Sequence, residues 1–356
     1  MDRKLCVGVN SNLDEVKFIA EHPASKFIKE IFIGPPSNLG RTDRKHVGTT
    51  NFDDLPEYVR ICHENGIELN IAANARDYNG QEFNPNYINE FLRFYEHLGE
   101  IGVDSLTLGN STMLENVGKH KQKNGGIKIG TSVYLKATTP LMAEEFSKFG
   151  AQRIILPGET NHDFSLQKRI FNYLPDLEYE LYATTKCVSC GSCPHRDAHS
   201  DFKSSHGEYA VELREKGVDP VVRFCKARRA QDTLDSLFTG FVRPEDIELY
   251  EQNSKGKISM IKLATREASR GKRLEQVMAY GNRTYDGALA DLWTMGPKDL
   301  AGIPNKALDG ALAKVKHLYP EEQKVFYQHL SDVYDSIKSE SKEKKIEIMQ
   351  DTIKNY

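Results

Sequence analysis

The chain has 356 residues, of which 28% are charged and 39% hydrophobic, and a formal net charge of -3. This is ordinary globular composition, long enough to bury a sizeable core as one large α/β domain or two smaller ones. It lacks the basic excess of a general nucleic-acid footprint. Six cysteines are too few for a disulfide framework at this size. No run approaches the ~20 apolar residues of a membrane span, and no apolar signal region precedes the first strand-like run. The expectation is a soluble cytoplasmic protein, without membrane contact, whose thiols are reduced and available to metal.

Leu5, Cys6, Val7, Gly8 and Val9 form an apolar run that ends at Asn10 and Ser11, the pattern of a buried parallel strand and its loop. A helix pattern follows with Leu13, Val16, Phe18 and Ile19, and then a strand at 31–33 closed by Gly34, Pro35 and Pro36. Beyond a polar loop through Arg41, Arg44, Lys45 and His46, Leu55, Tyr58, Val59 and Cys62 share a helical face that Gly66 ends. Cys62, and Cys6 on its strand, read as core residues. Residues 67–74 are strand-like. Asn84 and Pro85 are an N-cap and a proline at the first helical position, and Ile88, Phe91, Leu92, Tyr95 and Leu98 make the buried stripe. A strand at 106–108 ends at Gly109 and Asn110, and a helix around 113–120 leads to a strand at 127–133. Thr139 and Pro140 open a helix that Gly150 ends. A strand at 153–156 runs into Pro157, Gly158 and Glu159, a helix follows near 166–174, and a strand at 178–183 delivers the chain to Cys187.

Strand and helix alternate about every 20–30 residues, which argues for βαβ units and a parallel sheet. Seven strands precede Cys187, and 258–263 supplies an eighth, followed by a helix near 274–280. Eight units over roughly 280 residues favour a (β/α)8 barrel over an open sheet, and no glycine-rich dinucleotide fingerprint follows the first strand. The expected organisation is an α/β barrel over 1–300, with a cysteine-rich insert at 187–240 after strand seven, and a helical extension over 301–356. The insert would emerge at the C-terminal face, where barrel active sites lie. In the extension Phe326, Leu330, Val333, Tyr334 and Ile337 share a helical face, continued by Ile346, Met349 and Ile353. That face fits packing on the outside of the barrel, or a subunit or partner contact.

Cys187, Cys190 and Cys193 are each separated by two residues, Pro194 follows, and Cys225 lies beyond a polar, charged segment. Thiolates at this density suit a structural zinc or an iron–sulfur cluster. Zinc sites usually show two separated pairs, whereas three close cysteines and one distant one fit a [4Fe-4S] cubane better; zinc is the alternative. His195 and His199 would allow mixed zinc ligation and read more simply as solvated neighbours of the ligands. Arg223, Lys226, Arg228 and Arg229 surround Cys225, and Arg266, Arg270, Lys272 and Arg273 follow strand eight. Such clusters could meet RNA phosphates, or equally a cluster's negative charge and an acidic small molecule.

The residues that end the strands are the candidate pocket: Asn10, Asn74, Asn110 and Ser132 as substrate-binding groups, and Glu159, Lys262 and Arg266 as catalytic ones. Lys262 is expected inside the mouth and Arg266 on the loop rim, both facing an anionic group such as a carboxylate. A peptidase needs an activated nucleophile or a metal-bound water. The chain has neither a GxSxG nor an HExxH motif, and four cysteines committed to a cluster leave none of them as nucleophile.

Three segments resemble peptidase family U32, the collagenase-like proteins. They are Gly150 through Leu156 with Glu159 beyond, the strand into Cys187 with the cysteines after it, and Phe241 through Ile247 followed by Ile261 through Arg266. The resemblance covers roughly residues 4 to 285. Gly158 stands where the family has an arginine and Ala264 where it has a glutamate, so the chain reads as a divergent member. The resemblance implies a barrel, a [4Fe-4S] cluster held by Cys187, Cys190, Cys193 and Cys225, and an oxygen-independent hydroxylation of a small molecule or RNA. An electron donor or a homologous partner subunit would accompany it. Peptidase activity and sulfur transfer are the alternative readings.

Overall fold

Eight short strands alternate with helices and close on themselves. They are β1 (Leu5–Gly8), β2 (Ile28–Ile33), β3 (Glu68–Ala73), β4 (Ser105–Leu108), β5 (Lys128–Thr131), β6 (Arg153–Leu156), β7 (Glu178–Tyr182) and β8 (Ile258–Leu263). All pair in parallel, in sequence order, and β8 returns to β1 with Lys262 opposite Cys6, so the ring is the expected (β/α)8 barrel. The computed structural model describes residues 3–36, 50–184, 195, 197–199, 202, 208–218, 240–264, 266, 268–292 and 302–356. Cys187, Cys190, Cys193 and Cys225 lie outside the described residues, as do Arg223, Lys226, Arg228 and Arg229.

The helices of the barrel are α1 (Leu13–Glu21), α2 (Leu55–Glu64), α3 (Pro85–Glu100), α4 (Ser111–Asn124), α5 (Pro140–Lys148) and α6 (Phe164–Tyr173). After α7 (Glu208–Glu215), which belongs to the insert, come α8 (Ile247–Ser254) and α9 (Arg270–Asn282). Most begin on a side-chain cap. Asn12 accepts from Asp14 N and Glu15 N, Asn84 from Asn86 N, Asn110 from Met113 N, Thr139 from Met142 N, Asp163 from Leu166 N and Ser269 from Lys272 N. Each cap satisfies an amide that the first helical turn leaves without a partner.

The strands sort their side chains with a period of two. Leu5, Val7, Ile31, Ile33, Leu69, Ile71, Leu106 and Leu108 join Val16, Ile19, Phe91 and Leu98 of the helices in one core between the two layers. Cys6, Phe32, Ala72 and Met260 form a separate, small apolar cluster. With them are buried Glu30, Asn70, Ser105, Arg153, Glu180 and Lys262, so the other face of the strands carries charge as well as carbon.

Both described ends of the insert meet between β7 and β8. Val242 N donates to Ala183 O (3.0 Å) and Ala264 N to Thr184 Oγ1 (2.7 Å). The buried Asn161 amide stitches the pair, donating to Tyr182 O (2.8 Å) and Gly240 O (2.5 Å).

The C-terminal extension contains α10 (Ala311–Val315), α11 (Pro320–Ser336) and α12 (Lys342–Asn355). Phe326, Leu330, Tyr334, Met349 and Ile353 are buried, so the expected apolar face packs inward. Arg243 Nε donates to Asn305 Oδ1 (3.0 Å), its guanidinium pairs with Asp309, and Gln323 Nε2 donates to His162 O (2.9 Å). These bonds fasten the extension to the barrel. His162, Asp246 and Tyr327 enclose a small cavity at this junction.

Burial dominates the titration of both groups there: it pushes His162 down to about 4 and Asp246 up to about 6. The signs oppose. A depressed histidine contributes stability that is present above its unfolded pKa and lost as pH falls toward its folded one. A raised carboxyl contributes stability that is present at low pH and lost as pH rises through its folded pKa. Each effect is worth about 3 kcal/mol, so in the wild type they nearly cancel between pH ~4 and ~6.5. In urea unfolding, Asp246→Asn is expected to lose about 3 kcal/mol as pH falls from ~6.5 to ~4, and His162→Gln to lose a similar amount as pH rises from ~4 to ~6.

Candidate functional site

Past their C-terminal ends the strands open into a pocket that is continuous with solvent. Asn74, Ser132, Lys262 and Arg266 line it together, with Phe32, Tyr134 and Tyr182 as aromatic walls. Two cations and no carboxylate appear among its described lining residues.

Lys262 is the floor, and its position is over-determined. Its Nζ donates to Glu180 Oε1 (3.1 Å) and Cys6 Sγ (3.5 Å), and lies 3.9 Å from the centroid of the Phe32 ring. The Cys6 thiol donates to Glu30 Oε1 (3.2 Å), and Glu30 Oε2 accepts from Arg153 Nη1 (2.6 Å) and Ser105 Oγ (2.9 Å). Asn70 Nδ2 donates to Ser105 Oγ (2.8 Å) and Thr107 Oγ1 (3.0 Å), which continues the chain to the pocket wall. Two carboxylates thus balance two cations in a water-poor space.

Burial alone would favour a neutral lysine, but the Glu180 and Glu30 carboxylates packed against it outweigh that and hold Lys262 above its usual pKa. Burial, reinforced by Glu180, pushes the Cys6 thiol well up. For Glu30 burial is likewise the largest influence, and the positive charges of Arg153 and Lys262 overcome it to hold the carboxyl low. Lys262 is therefore a fixed ammonium and Cys6 a neutral thiol. Cys6, Glu30 and Glu180 form the group of metal-type ligands that converges among the described residues. The lysine ammonium already supplies the cation between Cys6 and Glu180.

Arg266 stacks above the same ring, with its guanidinium carbon 5.6 Å from the Phe32 centroid, and is only 6% exposed. It is drawn further in than a residue on a loop rim. Gly8 makes that approach possible, because a Cβ there would stand 2.6 Å from Phe32 Cζ and 2.9 Å from Arg266 Cγ.

Other sequence expectations are corrected. Asn110 does not line the pocket: it caps α4 and donates to Arg76 O (2.8 Å) and Glu82 Oε1 (3.2 Å), so its amide is spent on loop structure. Glu159 sits in a single turn, Gly158–Thr160, that carries it away from the lining. Asn10 also stands outside the lining, although its Oδ1 is buried without a hydrogen-bond partner among the described residues. Of the basic cluster after β8, Arg270 and Arg273 pair with Glu15 (2.5 and 2.7 Å) and Lys272 with Glu275 (2.9 Å). The two arginines serve the α1–α9 contact, whereas the Lys272 pair lies within α9.

Glu30, Glu180, Phe32 and Tyr182 were not foreseen as site residues. Their signal was a charged or aromatic residue alternating with aliphatic ones inside a strand, as in Ile28–Ile33, and it gains meaning only when the other strands bring the opposite charges.

Removing the lysine strands the buried Glu180 carboxylate. Lys262→Ala is expected to lose about 3–5 kcal/mol of stability. Adding Glu180→Gln to Lys262→Met should recover much of that loss. Urea unfolding of the single and double variants measures the coupling.

The sequence profile of peptidase family U32 matches residues 11–207. An uncharacterized protease from Methanocaldococcus jannaschii is 24% identical over 286 residues, which covers 80% of this chain and 81% of that one. The solved structure of a U32 peptidase matches with a TM-score of 0.45 and 13% identity, over 61% of this chain and 79% of that one. N-acetylneuraminate lyase from Mycoplasma synoviae matches with a TM-score of 0.39 and 9% identity, over 98% of each chain. Since the family profile spans more than half of its length, the chain belongs to peptidase family U32.

Proposed function

We propose that this protein is a [4Fe-4S] oxidoreductase of the U32 type, acting without oxygen on a small anionic substrate bound at the barrel mouth. The observation that carries the reading is the pocket itself, where Lys262 and Arg266 face a cavity with no carboxylate among its described lining residues. A carboxylate or phosphate group would meet a fixed ammonium and a planar guanidinium there, while Asn74 and Ser132 offer polar contacts and Phe32, Tyr134 and Tyr182 supply aromatic walls. A protonated Lys262 is a poor general base, so its roles are to bind and orient.

The four cysteines outside the described residues are the donor set for the cluster. Cys6 and Cys62 do not compete, since both are buried thiols whose pKa burial raises. Thr184, three residues before Cys187, follows β7 on the rim of the mouth. A cluster bound there would supply one-electron transfer beside the substrate, and an external electron donor or a homologous partner subunit would complete the reaction. Thiolate ligands of this kind need a reducing compartment such as the cytoplasm.

The M. jannaschii relative's name supports a second reading, peptide hydrolysis. The described lining residues bring neither a histidine nor a carboxylate to Ser132 as a base, which favours the redox reading. RNA is a less favoured substrate than a small anion, because Arg270, Lys272 and Arg273 are already paired. An RNA-binding assay over a salt series would reverse that order if affinity fell steeply with salt.

Anaerobically purified protein is expected to contain about four irons and four sulfides per chain. Cys187→Ala, Cys190→Ala, Cys193→Ala and Cys225→Ala should each remove or cripple the cluster, while Cys6→Ala and Cys62→Ala should keep it. One zinc per chain without labile sulfide, or peptide turnover that survives loss of the cluster, would overturn the reading. Arg266→Ala should weaken binding of citrate or phosphate roughly 10- to 100-fold at unchanged iron content, and Arg266→Lys should restore it only in part.

A further inference from the structure

The chain leaves the barrel at Thr184, on the rim between β7 and β8. Asp197, thirteen residues later, is held on the other side of the mouth. Its carboxylate pairs with Arg76 Nη1 (3.0 Å) and with the Lys136 ammonium. Arg76 follows β3 and Lys136 follows β5, and in a ring of eight strands β3 stands opposite β7.

Both cations are presented by loops that are fixed independently of Asp197. Asn110 Nδ2 donates to the Arg76 carbonyl (2.8 Å), and Tyr78 OH donates to Ala73 O (3.0 Å) across the same loop. Gly109 lets β4 close against that loop, since a Cβ there would collide with the Asn74 carbonyl oxygen. Lys136 closes the turn Val133–Leu135 with φ +53°, a left-handed conformation that a side-chain-bearing residue keeps only where its surroundings hold it. The same turn carries Tyr134 of the pocket wall. The Lys136 hydrogen bond, with Arg76 behind it, holds the Asp197 carboxyl below its usual pKa. Exposed ion pairs usually contribute little because two mobile side chains must be ordered. Here one carboxylate meets two cations whose loops are already ordered.

We propose that Asp197 is a positioning residue. Clasped by Arg76 and Lys136, it fixes the described chain around His195 and residues 197–199 on the β3–β5 rim, and so bears on the cluster that the proposed function assigns to the cysteines. The clasp stands on its own contacts, whereas its consequence for a cluster rests on the function proposed above.

The test uses the full chain, purified anaerobically, as wild type, Asp197→Asn, Asp197→Glu and the double variant Arg76→Gln/Lys136→Gln. The readout is hydrogen exchange of the His199 amide, which donates to His195 O (2.8 Å). Exchange is expected to speed up roughly 2- to 30-fold in Asp197→Asn and in the double variant, the range carried by two exposed ion pairs. It should return toward wild type in Asp197→Glu, and quicken with salt in the wild type. Melting temperature should barely change. Unchanged exchange in both disrupting variants overturns the clasp. The EPR spectrum and midpoint potential of the iron–sulfur signal should shift at constant iron content. If exchange responds and they do not, the clasp is real and its role toward the cysteines is refuted. If exchange responds and the wild type binds no iron, the clasp stands and the proposed function falls.

Discussion

Four buried charges have to neutralise one another within the barrel. Glu30 and Arg153 lie 2.6 Å apart, Glu180 and Lys262 3.1 Å, and none of the four is more than 9% exposed. Desolvating such ions costs several kcal/mol each, which only close pairing and further hydrogen bonds offset. Their strands, β2, β6, β7 and β8, come from widely separated parts of the chain. The balance of charge is therefore a statement about closure and register. A slip of one residue in any of these strands would turn its charged side chain toward the apolar layer under the helices.

That constraint shapes the pocket above it. Lys262 is anchored below by Glu180 and Cys6 and covered by Phe32, so the positive charge at the floor does not depend on ligand or pH in the physiological range. Arg266 lies against the same Phe32 ring, and Gly8 leaves room for Phe32 and Arg266. The electrostatics of the mouth thus follow from the interior of the barrel, while its walls come from the loops. Asn161 holds the two ends of the insert together, and Asn110 builds the loop that carries Arg76. Of the asparagines at strand ends, which look like substrate ligands in a linear reading, Asn74 lines the pocket wall, Asn110 caps a helix and Asn10 stands outside the lining. A cap and a ligand need the same short amide side chain, and only the neighbours distinguish them.

Much of the architecture was legible in the amino-acid sequence because it rests on local signals. The eight strands are short aliphatic runs, and the helix starts read at Asn84 and Thr139 carry caps. Stops such as Gly66 and Gly150 lie in the left-handed region that glycine favours. The apolar stripe Phe326–Leu330–Tyr334 foretold a packed extension. Lys262 and Arg266 were legible as mouth residues because position at the end of a barrel strand is itself a functional signal.

What the sequence determined alone was therefore the βαβ alternation and the barrel that eight such units imply. The tertiary structure alone decided the partners. Glu30 and Arg153 are 123 positions apart, Glu180 and Lys262 82, and Asp197 lies far along the chain from Arg76 and Lys136. Propensity, periodicity and capping act over a few residues, and a linear pattern displays them. Charge neutralisation in a low-dielectric interior acts through space, and it becomes visible only when closure of the ring brings distant strands together.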